Sequence, residues 1–383
     1  MPRTTLALTS FVSGEFSPKM DGRTDFEKYS SGAKTLENFL VHPQGAATRR
    51  VGTQYIAEVK SSAAKTRLIP FEFSTTQTYI LEFGNTYIRF YKDKGQILSS
   101  GSAYEISSPY LTAELFDIKF AQSADVMYIT HPNHEVMKLS RTGHTSWTLA
   151  EVDFTDGPYL ATNSTTTTLT PASAGVATGV DITASAVTGI NSGAGFLATD
   201  VGRIISFNGG KAKITARTNT TVVVCTITTA FTNTNATAAF NLGAFSDTTG
   251  HPSCISFYEQ RLVFAGTISE PQTVFFSKAG DYENMTSGTN ADDAMVYTIA
   301  ANQVNVIRYL KAQRTLVIGT TAAEYTVSAD GTDASITPTN ITIKRQSSYG
   351  SANVDAVTAG NAILFLQKAK RKIRELAYNF DSD

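Results

Sequence analysis

The chain has 383 residues, 42% of them hydrophobic and 17% charged, and its 32 basic and 33 acidic side chains leave a formal charge of −1. That length suits one large all-β domain or two to three ordinary ones, each with a sizeable core, and the balanced charge excludes the basic excess of a nucleic-acid binder. Two distant cysteines, Cys225 and Cys254, rule out a disulfide framework or zinc knuckle and read as buried free thiols.

No apolar run reaches the ~18 residues of a membrane helix, and the first residues are too polar for a signal peptide, so no membrane insertion is expected. Residues 1–66 form an N-terminal arm. Its one helix candidate is "FEKYSSGAKTLENFLV", where Tyr29, Ala33, Leu36 and Leu40 fall at i, i+4, i+7 and i+11. The stretch "NFLVHPQGAATRRVGTQY" follows, turned by Pro43, Gly45 and Gly52 and carrying Arg49 and Arg50. No Gly-rich phosphate cradle surrounds these arginines. They are expected to pair with carboxylates or carbonyls of the adjoining domain or of a neighbouring subunit, to which Arg is suited.

Residues 67–156 and 251–383 carry five units of one layout: strand, polar turn, apolar strand, turn, strand. They start at Leu68, Asp117, Cys254, Val306 and Asp355, and their middle strands are "TYILEFG", "VMYITH", "RLVFAG", "TLVIGT" and "AILFLQ". A spacing of about 50 residues with three or four strands per unit predicts β-propeller blades; evenly spaced hairpins of a sandwich are the alternative. The fifth unit stops without a successor, which leads to the expectation of a longer chain or of another segment that closes the ring. One wide gap, residues 157–250, is rich in Thr, Ala, Asn and Gly. It predicts an inserted β-barrel or sandwich in which "RIISF", "KAKITAR" and "VVVCTIT" alternate as strands, with "NGG" and "TNTT" as hairpin turns. The expected fold class is therefore all-β: propeller-like blades, an inserted small β-module and an N-terminal arm with one helix.

Chemistry-bearing motifs are sparse. "HPNH" sets His131 and His134 three apart with no third histidine nearby in sequence, and exposed turn histidines are favoured over a metal site, which needs three ligands. "NGGKAK" lacks the rest of a phosphate-binding loop, and no GxSxG is present. The turns at Asp292–Asp293 and Asp330–Asp333 fit no spaced calcium loop. Carboxylates converging from different blades for glycoside hydrolysis have no local signature. "KAKRKIRE" would place Lys368, Lys370, Lys372 and Arg374 on one face of a strand, either solvated or against an acidic partner or passing nucleic acid. No catalytic residue, cofactor or metal is assigned.

The segments "GEFSP" (Gly14 to Pro18), "GRTDFEKY" (Gly22 to Tyr29), "NFLVHPQG" (Asn38 to Gly45) and "RRVGTQYI" (Arg49 to Ile56) resemble the start of the tail tubular protein B, or nozzle, family of short-tailed bacteriophages. "RLVFAGTISEPQTVFFSKAGDYENM" is similar to a blade motif of that family, and "TDVGRIISFNGGKAKITA" to a β-domain often inserted in it. Val51 departs from the expected proline and leaves that loop less rigid. The resemblance implies a non-enzymatic virion protein of the phage tail, made in the host cytoplasm. It would form a homo-hexameric ring below the portal and adaptor (head–tail connector) proteins, pass DNA without specific contacts and carry fibres or spikes. Interface candidates are Asn38, Arg49, Arg50, Lys368, Lys370, Lys372 and Arg374. A glycan-binding or glycan-degrading propeller at the host surface is the alternative, and an adhesion module built on the insertion a third.

Overall fold

A computed structural model describes residues 7–301, 305–331 and 334–377; Asp333, the first residues of the arm and the end of the fifth unit lie outside them. The chain divides into two compact units, Met1–Ala57 and Glu58–Asp383.

In the first unit Gly14–Glu15 pairs in parallel with Gly32–Ala33, and Phe39–Val41 forms a hairpin with Ala47–Arg49. The predicted α-helix is absent: Glu27–Ser31 is one 3-10 turn, and the chain then extends. The cause is local packing. The Phe16 ring stacks on Tyr29 at 5.8 Å and meets the edge of Phe26 at 6.4 Å. A Cβ on Gly32 would lie 2.0 Å from that ring, so the backbone passes where a helix would carry side chains. Asn38 is left-handed (φ 63°), which ends any continuation towards Leu40.

The second unit bears out the all-β reading. Five antiparallel meanders follow the predicted starts within two residues. Blade 1 runs Arg67–Glu72, Thr78–Gly84, Tyr87–Lys92 and Glu105–Ser107. Blade 2 runs Lys119–Ser123, Val126–His131, His134–Gly143 and Ser146–Glu151. Blade 3 runs Cys254–Tyr258, Arg261–Ala265, Thr273–Phe276 and Met295–Thr298. Blade 4 runs Ile307–Ala312, Leu316–Thr320, Glu324–Ser328 and Thr342–Ser347. Blade 5 has Val357–Ala359, Ala362–Leu366 and Ile373–Ala377. The middle strands of blades 3 and 4 are buried at every position, as sheets covered on both faces must be.

Separate hydrophobic cores join blade 1 to 2, 2 to 3, 3 to 4 and 4 to 5, so the arrangement is propeller-like. The only tryptophan, Trp147, lies in the first of these cores, stacked on Phe90 at 4.5 Å and edge-on to Phe71 and Tyr79. Among the described residues one ammonium, that of Lys119, is buried where blades 2, 3 and 4 meet. Lys119, on the first strand of blade 2, reaches the Arg308 carbonyl of blade 4, Cys254 Sγ of blade 3 at 3.5 Å and the Asp355 carboxylate leading into blade 5 at 3.4 Å.

Between blades 2 and 3 stands the inserted module, a six-stranded sheet in the order Leu169–Pro171, Val180–Ala184, Val222–Thr229, Gly210–Arg217, Ile204–Phe207, Phe240–Leu242. Burial alternates along its strands, and its core draws on its own residues alone, Cys225 included. The "NGG" turn forms as expected, with Asn208 and Gly209 both at positive φ between paired Phe207 and Gly210. Both cysteines are buried and free.

Candidate functional site

"HPNH" closes the central hairpin of blade 2, with His131 paired opposite His134 across Pro132 and Asn133. His131 is not the exposed turn residue expected: it is 1% exposed, because Tyr110 packs against both imidazoles at 6.1 and 5.3 Å. A carboxylate reaches the pair from the loop between blades 1 and 2. There Glu114 closes its own turn by accepting the Leu111 N–H at 2.9 Å and lies 2.8 Å from His134 Nε2. Burial pushes the Glu114 carboxyl up, but the Leu111 amide and His134 outweigh it and hold it below the usual carboxylate range. His131 is pushed down, first by burial and then by His134. Its Nδ1 accepts the Asn133 N–H at 3.2 Å, while Nε2 has no partner among the described residues. His251 donates its backbone N–H to the Pro132 carbonyl at 3.2 Å and sets Nε2 2.9 Å from Asp247 Oδ1. The trio Glu114, His131 and His134 can hold a proton between carboxylate and imidazole, or a cation.

Beside it, Glu135 and Glu151 share a hydrogen bond next to Lys213 and Asp247, and burial, Glu151 and Asp247 raise Glu135 to about 7 against the opposing pull of Lys213. A carboxyl raised on folding binds its proton more tightly in the folded state. Its contribution is therefore full below the ordinary value of 4.5 and is lost as pH rises through about 7. Between pH 5 and 8 the second unit loses about 1–2 kcal/mol from this pair, reduced by the solvent that reaches it. Glu135→Gln flattens that slope in denaturant titrations; an unchanged slope would refute the assignment.

A second concavity, of about 440 Å³, lies where the inserted module meets the Ser269–Glu270 loop of blade 3. Asn163, Asn191, Thr248 and Arg203 line it. Arg203 binds the Gly243 carbonyl, Asn191 and Asp200, and its Nη2 has no partner among the described residues.

The residues marked from sequence are not among those that form these sites. Arg50 is bonded within its own segment of the first unit: its Nε donates to Asn38 Oδ1 at 2.6 Å, its backbone N–H to the Asn38 carbonyl and Nη1 to the Val51 carbonyl. Arg49 pairs with Phe39 through the backbone, and its exposed side chain has no partner among the described residues. Arg50→Ala is therefore expected to speed amide exchange in this hairpin a few-fold. Arg49→Ala should not, and neither should alter the salt dependence of any DNA binding. Equal effects of the two substitutions would contradict the assignment.

The four-cation face does not form. Residues 368–371 make a turn with Lys370 at φ 56°, and only Arg374 lies in a strand, over the Tyr349 ring at 4.0 Å and donating to Gln367. Lys368, Lys370 and Lys372 thus share no strand face. The Asp292–Asp293 turn is occupied by Lys278, 3.0 Å from Asp292 and 3.5 Å from Asp293. Sequence reasoning missed Glu114, 17 residues before His131 and aligned with it only through the interblade loop.

Comparison with protein-family models gives no match, and none of the curated proteins is similar to the chain.

Proposed function

We propose that this chain is a structural virion protein, a subunit of a phage tail nozzle ring below the portal and adaptor that lets DNA pass and supports fibres or spikes. The observation that carries the reading is the surface of the first unit. Its family-like segments leave Leu40, Val51 and Tyr55 57, 83 and 77% exposed. Such apolar side chains in one short stretch are what a subunit or adaptor interface covers.

Purified full-length chain, alone and with its adaptor, is expected to give six-fold rings in negative stain and a hexamer mass in solution. Monomers under both conditions would overturn the proposal. A glycan-binding role is favoured by one feature only, the polar cleft with Asn163, Asn191 and Arg203. Glycan-array binding lost in Asn191→Ala would support it.

A further inference from the structure

The geometry points to a divalent transition-metal site of the zinc class formed by Glu114, His131 and His134. One ligand atom from each lies within 4.8 Å of the other two. Two imidazoles and one carboxylate are a borderline donor set that suits zinc or cobalt, whereas calcium and magnesium take oxygen. The second observation is the ring of His131, 1% exposed and held against Tyr110 with Nε2 unpartnered. A buried donor or acceptor without a partner is rare and calls for an occupant.

The short His134–Glu114 contact, 2.8 Å, is the spacing of a shared proton. Ligands about 2.0–2.1 Å from a tetrahedral ion stand about 3.4 Å apart, so the cation replaces that proton and the pair opens by about half an ångström. His131 must also change. If Nε2 ligates, the neutral ring carries its proton on Nδ1; if Nδ1 ligates, its lone pair is used. In both cases Nδ1 gives up the Asn133 amide, now held at 3.2 Å. Three protein ligands leave a fourth position for water. The ion ties the Glu114 loop, which leads from blade 1 into blade 2, to the hairpin that closes blade 2. Its role is to fix the angle between those blades.

The test uses the full-length chain stripped with a chelator and titrated with zinc chloride by calorimetry, with cobalt(II) absorption as a report on geometry. One zinc per chain is expected, with tetrahedral cobalt bands and a rise in the thermal midpoint that scales with free zinc. Glu114→Gln keeps the Leu111 hydrogen bond and the fold but should weaken binding more than tenfold, as should His134→Ala, and midpoints without zinc separate folding defects from ligand loss. The Asn133 amide resonance must shift on zinc addition, a readout that adventitious surface binding would leave unmoved. No binding below roughly 100 µM, or unchanged binding in a variant combining Glu114→Gln with His134→Ala, overturns the site. A six-fold ring that assembles equally well with and without zinc leaves the site standing, so failure here is distinguishable from failure of the assembly proposal.

Discussion

Replacing Arg203 with methionine is expected to destabilise the inserted module by about 3–5 kcal/mol, the cost of breaking a buried ion pair from one side. Arg203 and Asp200 are 1 and 0% exposed, joined at 2.9 Å. The carboxylate also accepts the Leu197 N–H at 2.8 Å and the Asn191 amide at 2.7 Å, and the guanidinium reaches the Gly243 carbonyl at 2.8 Å. Methionine matches the volume but strands a charge and a carbonyl. Lysine keeps the charge but lacks the planar fork that serves three acceptors at once, so it should recover less than half of the loss. The double variant Asp200→Asn with Arg203→Met removes the stranded charge and is expected to recover more than lysine does. Hydrogen exchange in the strands Ile204–Phe207 and Gly210–Arg217 is the measurement. Loss confined to blades 2 and 3, with the module untouched, would contradict the account.

Arg261→Met should cost blade 3 about 3–4 kcal/mol. This guanidinium is 2% exposed and donates to four backbone carbonyls: Ser277 at 2.8 Å, Asp293 at 2.7 Å, Asp292 at 3.2 Å and Ala291 at 2.6 Å. Burial pushes its proton affinity down, opposed by the nearby Asp292, Glu259 and Asp293, yet arginine remains charged at any working pH. Each carbonyl left unpaired and dry costs on the order of 1–3 kcal/mol, and relaxation of the turn recovers part of it. Lys278 then faces both aspartates alone, so the variant should be more salt-sensitive than the parent. Urea midpoints at low and high ionic strength decide the matter, and a loss under 1 kcal/mol would mean that the turn re-forms its bonds with water.

The blades were legible because their middle strands are covered on both faces: "RLVFAG" and "TLVIGT" permit no solvent-facing position, and that compositional uniformity repeats with the structure. The inserted strands were legible for the opposite reason, a strict alternation that only a sheet with one covered face produces. The fourth strands of blades 1 to 4 went unseen because outer strands such as Thr342–Ser347 are half-solvated and carry little apolar signal. The helix over Tyr29, Ala33 and Leu36 failed because spacing alone is silent about Phe16, whose ring occupies the place a helix would need. "KAKRKIRE" alternates on paper, but Lys370 bends the chain back. Of the candidate site, the two histidines were visible and the glutamate was not, since no local spacing encodes a loop that crosses between blades.

The chain enters and leaves the inserted module as paired neighbours: Tyr159 bridges Gly243, the Leu160 N–H reaches the Leu242 carbonyl, and the Ala244 N–H reaches that of Pro158. Two adjacent ends with a self-contained core between them make this a socket. Lineages could exchange, enlarge or discard what stands there by recombination at two nearby points, without altering any blade. Selection on whatever the module touches would then be uncoupled from selection on the scaffold.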